Sequence, residues 1–136
     1  MNLVPNPYTR RIKYLALFSM LFDLTLTLIG QSETYWSSSG VEVNEANELF
    51  HYFSSHGSLS FVASLLAYVA IMFGLITYVP TRIAYVGSLA LIFGHYYGAC
   101  SWLTWDYGVQ AAVVYAIFLA SILVYAEGKF FKNSET

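Results

Sequence analysis

The run IKYLALFSMLFDLTLTLIG, residues 12–30, decides the fold: it is apolar along its length yet carries a carboxylate, Asp23, inside it. A stretch of this length and character matches the roughly 30 Å hydrocarbon thickness of a bilayer. A carboxylate within it must be satisfied by another group or neutralised. The best partner elsewhere in the chain is His95, which lies in the middle of a second apolar run.

Composition agrees with a membrane protein. Of the 136 residues, 57% are hydrophobic and 10% are charged, and the mean hydropathy is +0.56. Soluble domains carry about a quarter charged residues, so this chain has too little polar surface to cover a water-facing core. The length allows one domain, residues 1–136. Cys100 is the single cysteine, which excludes an internal disulfide. The basic residues before the first run resemble a signal-peptide n-region, but Asp23 interrupts the apolar region and no A-x-A site follows. The first run is therefore expected to be an uncleaved span.

Working outward, residues 1–11 read as a short tail whose Arg10 and Arg11, with Lys13, flank the first span. Residues 31–57 form the one long polar loop, rich in glutamate, with a short interfacial helix expected over 44–53 and a break at His56-Gly57. Further spans are expected at about 58–79, stopped by Pro80, at 83–103 and at 109–126. The expectation is an all-α integral membrane protein, a four-transmembrane-helix bundle with an interfacial helix between spans 1 and 2.

Charge fixes an expected orientation. All six basic residues (Arg10, Arg11, Lys13, Arg82, Lys129 and Lys132) fall on one side of such a bundle. Glu33, Glu42, Glu45, Glu48 and Asp106 fall on the other, with Trp36, Trp102 and Trp105 near that boundary. The positive-inside rule then places both termini in the cytoplasm, with a bacterial inner membrane as the expected location.

Depth and face bring the polar residues together. At 1.5 Å per residue, Asp23 lies about 10 Å and His95 about 12 Å below the same boundary. Ser19, Asp23, Thr27 and Gly30 recur at helical spacing as a small, polar stripe. Gly87, Ser88, Gly94, His95, Gly98 and Ser101 make a small-residue region on the third span, where Gly94 and Gly98 permit close helix approach. In the polar loop, Glu45, Glu48 and His51 recur every three residues, and Glu48-Leu-Phe-His51 has the E-x-x-H spacing of di-metal bundles. With Asp23 and His95, these make a candidate metal set suited to zinc, iron, manganese or copper. Plainer readings stand beside it. Asp23 can bond to Thr27 or a tyrosine and hold the helices in register. His95 can be a structural donor to Asp23, or an axial ligand to haem or chlorophyll. His51 and His56 can simply be solvated. No G-x-S-x-G, H-E-x-x-H, Walker loop or dinucleotide fingerprint is present.

DLTLTLIGQ with the following YW (from Asp23), VNEANELF (from Val43) and GHYYGACSWL (from Gly94) resemble a group of small four-span bacterial membrane proteins of unassigned function. The resemblance covers about residues 20–105 and implies importance for Asp23, Gln31, Glu45, Asn47, His95 and Trp102. It departs after Asn47, where the group's pattern has proline and this chain has Glu48. It implies no activity.

Three functions follow as expectations. The first is a buried Asp/His/Glu site that binds a metal ion or relays protons. The second is an accessory subunit of a larger membrane complex, cofactor- or pigment-containing, with a structural Asp-His pair. The third is a proton-coupled transporter acting as an oligomer. The expected partners are the lipid bilayer and other membrane subunits or further copies of the chain, with no nucleic acid. Whether any of these makes the chain an enzyme stays open.

Overall fold

The computed structural model describes residues 7–37 and 48–132, with side-chain surroundings for 11–37 and 48–125. Every element among them is helical: α1 (Pro7–Ile29), α2 (Glu33–Ser37), α3 (Glu48–Ser54), α4 (Ser58–Tyr78), α5 (Thr81–Tyr107) and α6 (Val109–Lys132). Three stretches are long and apolar enough to cross a membrane: Arg11–Ile29, Ser58–Tyr78 and Thr81–Tyr107. At 21 residues, α4 is about 31 Å long, the thickness of a hydrocarbon core. The 27 residues of α5 make about 40 Å, so it must tilt or project. Within α6, Val109–Tyr125 is a shorter apolar stretch. The chain is thus an all-helical, integral membrane protein by length and composition.

Helix ends fall where local chemistry puts them. The first helix begins at Pro7, several residues before the expected start, because proline suits a first turn that has no intrahelical use for its missing N–H. Val79 is extended (φ −78°, ψ 160°), as the residue before a proline prefers, and its N–H closes α4 on the Leu75 carbonyl. The third span continues past Leu103 to Tyr107, since nothing in SWLTWDY breaks a helix. The expected loop TWDYG contracts to Gly108, whose φ of +83° is open to glycine. Gly57, at φ +107°, makes the expected break before α4. Inside the polar loop, α2 was not foreseen, and α3 begins at Glu48. Residues 44–47 of the expected interfacial helix, with Glu42, lie outside the described residues.

The helix α1 packs most extensively against α5, while α6 lies on α5 and α4 closes on both α1 and α5. Small residues are wholly buried on both of these helices: Ala16 and Ser19 on α1, and Ala84, Ser88 and Ala99 on α5. Close approach is extreme at Gly30, where an added Cβ would enter the Trp102 ring. At the other end, Lys13 is buried and its Nζ donates to the Thr77 carbonyl (3.2 Å), one of the last carbonyls of α4, which have no intrahelical partner. The basic flank predicted for the first span is therefore partly a tether between helices.

Tyr35 of α2 is fully buried, edge-on to Trp36 and Phe61, and its hydroxyl has no hydrogen-bond partner among the described residues. Burial pushes its phenol pKa up from the usual value.

Two predictions follow from this packing. Gly30→Ala should lower stability by roughly 1–3 kcal/mol through overpacking, whereas Gly74→Ala, whose Cβ meets nothing within 4 Å, should leave it unchanged or raise it. Thermal denaturation in detergent compares the two. Tyr35→Phe should be neutral or stabilising, within about 1 kcal/mol, because it removes a buried hydroxyl that makes no hydrogen bond.

Candidate functional site

Asp23 and His95 meet. His95 Nδ1 lies 2.7 Å from Asp23 Oδ2, joining α1 to α5 with both side chains nearly buried. On its other side, His95 Nε2 lies 3.0 Å from the hydroxyl of Tyr68, which α4 supplies. The result is a three-member chain, Asp23–His95–Tyr68, drawn from three helices. An ionised carboxylate only accepts, so His95 Nδ1–H donates to Asp23. A neutral imidazole then accepts the Tyr68 O–H at Nε2. A protonated imidazole instead donates from Nε2 to the Tyr68 oxygen. Either state keeps both hydrogen bonds.

Gly98 makes room for this arrangement. A Cβ there would lie 2.7 Å from both oxygens of the Asp23 carboxylate, so the carboxylate rests directly on the backbone of α5. Gly94, the other member of the small-residue pair, does something different. It is exposed, and an added Cβ would meet nothing within 4 Å. Of the two, Gly98 makes the close approach, while Gly94 lines open space.

That space is a cavity of about 680 Å³ between α1, α3, α4 and α5. Asp23, His95 and Tyr68 form part of its wall, with Thr27, Trp102 and Trp105 toward the end of the helices that carries α2 and α3. Phe50 of α3 also lines it, set edge-on to Tyr68 at a centroid distance of 5.5 Å. Its volume falls within the range of small-molecule sites.

Among the described residues, Glu48 and His51 of the candidate metal set do not join Asp23 and His95. Glu48 and His51 are exposed on α3, whose apolar side with Phe50 turns toward the cavity. A seven-residue helix with one apolar face buries that face and leaves its glutamate and histidine outside. Glu45 lies outside the described residues. Among the described residues, no group of three or more His, Cys, Asp or Glu side chains comes together. The haem or chlorophyll reading meets a different obstacle: both ring nitrogens of His95 are engaged, so a macrocycle would have to displace Tyr68 or Asp23. His56 is exposed and its Nδ1 bonds the Tyr52 carbonyl at 2.7 Å. Gln31 is buried and donates from Nε2 to the Thr27 carbonyl, continuing the α1 stripe past the helix end.

Sequence reasoning missed Tyr68, treating it as one aromatic among many. The signal was present in its depth. Tyr68 stands ten residues into α4, about 15 Å from that helix's start, comparable with the depth of the other two groups.

A double-mutant cycle at Asp23 and His95 should give a coupling energy of about 0.6 kcal/mol and at most about 1.7 kcal/mol, the range for hydrogen bonds between membrane helices. Gly98→Ala should abolish most of that coupling by displacing the carboxylate. Unfolding measured in mild detergent for the single and double variants provides the check.

Comparison with protein-family models finds no match, and neither curated proteins nor solved structures give one.

Proposed function

We propose that the chain is a four-span membrane protein whose Asp23–His95–Tyr68 chain exchanges protons with a molecule held in the adjoining cavity. The observation that carries this reading is that both ring nitrogens of His95 have partners, Asp23 at Nδ1 and Tyr68 at Nε2, a geometry that suits the neutral and the protonated ring alike. A proton arriving at the Tyr68 oxygen from the cavity is matched by transfer of the Tyr68 hydroxyl proton to His95 Nε2. The product is an imidazolium beside the Asp23 carboxylate, with Tyr68 still neutral. The reverse sequence returns the proton. Asp23 fixes the tautomer and stabilises the charged ring, the part a carboxylate plays in orienting a general base.

The topology of this proposal takes α6 as the fourth span. Its apolar stretch Val109–Tyr125 lies on α5 and continues as helix to Lys132. The one-sided distribution of the six basic residues supports cytoplasmic termini in a bacterial inner membrane and a cavity toward the opposite face. The metal-binding version of the site draws no support from the described residues.

Nuclear magnetic resonance of ring-labelled His95 in lipid nanodiscs tests the reading. The expected result is a ring that passes between the neutral Nδ1–H form and the imidazolium as pH falls, with exchange slowed in Tyr68→Phe. A ring fixed in one state over the whole range of the folded protein would overturn it. That outcome would favour the purely structural pair of an accessory subunit.

A further inference from the structure

The cavity beside Asp23 offers a ligand a specific chemistry. Asp23 Oδ2 is engaged by His95, but Oδ1 has no hydrogen-bond partner among the described residues. One turn further along α1, the Thr27 hydroxyl makes no hydrogen bond among the described residues. Asp23 is 9% exposed and Thr27 5%, and both line the cavity. The hydroxyl proton of Tyr68, in the neutral state of His95, is directed to the imidazole and not into the cavity. The wall therefore presents a carboxylate, which only accepts and carries the negative charge, beside a hydroxyl that can accept or donate. Around them stand the aromatic rings of Phe50, Tyr68, Trp102 and Trp105, whose faces attract cations. Among the described residues, no lysine or arginine lines the cavity. At this end of the helices the described charges are Glu33, Glu48 and Asp106, all exposed and acidic.

We propose that this cavity binds an amphipathic organic cation, an ammonium group on an apolar or aromatic body. Its nitrogen lies against Asp23 and Thr27, and its apolar body lies among the aromatic rings toward Trp102. A ligand bringing only acceptors, such as a carboxylate, a phosphate or a quinone carbonyl, would face Asp23 Oδ1 with no proton between them. A neutral hydrocarbon would leave the carboxylate unsatisfied in a low-dielectric site. A cation of this kind neutralises the buried charge and fills the aromatic space. The proposal deepens the proton-exchange reading, since a protonated amine would sit against the same chain, but binding itself needs only the Asp23 charge.

The test uses the full chain in nanodiscs, with tryptophan fluorescence as the readout because Trp102 and Trp105 line the site. The probes are phenethylammonium, its N-trimethyl analogue, the uncharged carbon isostere of that analogue, and 3-phenylpropionate. The expected result is saturable quenching by both cations, binding of the isostere about tenfold weaker or less, and none by the anion. Asp23→Asn should weaken the cations about tenfold while leaving the isostere unchanged. Equal binding of cation and isostere, or unchanged cation affinity in Asp23→Asn, would overturn the proposal. Should Asp23→Asn fail to fold, Gly94→Leu takes its place. Its side chain enters the open space of the cavity, so it should abolish binding, and retained affinity would overturn the proposal. The trimethyl analogue has no transferable proton. Its binding therefore supports the cation site even if the His95 ring fails to titrate, an outcome that would defeat proton exchange alone.

Discussion

A carboxylate in the middle of an apolar helix has no water to turn to, and the pairing of Asp23 with His95 is the constraint on which the remaining contacts depend. To bring the two together, α1 and α5 must approach closely, and both helices carry small, wholly buried residues, Ala16 and Ser19 on one and Ser88 and Ala99 on the other. At the point of contact even a methyl group is too much, hence Gly98. The remaining nitrogen of His95 then needs its own partner, which draws in α4 through Tyr68. Lys13 ties α1 to α4 a second time, near the far end of both. The arrangement of these three helices follows from satisfying one charge, the nitrogen next to it, and the carbonyls of a helix terminus.

Much of this was legible in the chain. Hydrophobic length located the helices, and the depth count placed Asp23 and His95 level because rise per residue is fixed in an α-helix. The stripe Ser19, Asp23, Thr27 marked the correct face of α1. What escaped the sequence depended on tertiary context. Tyr68 has a hydroxyl whose importance appears only when a neighbouring helix offers a nitrogen at 3.0 Å. The E-x-x-H spacing on α3 was real as geometry, but spacing does not say which face is buried, and Phe50 won that competition over Glu48 and His51. Likewise, the two glycines of Gly94-His-Tyr-Tyr-Gly98 looked equivalent in sequence, yet one receives a carboxylate and the other borders empty space.

The site joins two kinds of environment. On one side Asp23, His95 and Tyr68 satisfy one another along a line, and on the other the same carboxylate and Thr27 face a space walled by aromatic rings. A group that is satisfied on one edge and unsatisfied on the other is poised to respond to what enters, because an occupant alters the balance of charge along the whole line.

The connections between helices are markedly unequal. Two residues, Val79 and Pro80, join α4 to α5, and Gly108 alone joins α5 to α6, whereas residues 30–57 link α1 to α4. The short links leave little freedom for α4, α5 and α6 to re-aim independently, so the face that α5 turns to α1 also governs where its neighbours lie. All of the chain's latitude in length is therefore concentrated at the cavity's end. There α2 and α3 are held to the bundle by aromatic anchors, Tyr35 against Phe61 and Phe50 against Tyr68. The contacts among Asp23, His95 and Tyr68 are thus made from helices α1, α4 and α5, of which α4 and α5 are joined by the two-residue link.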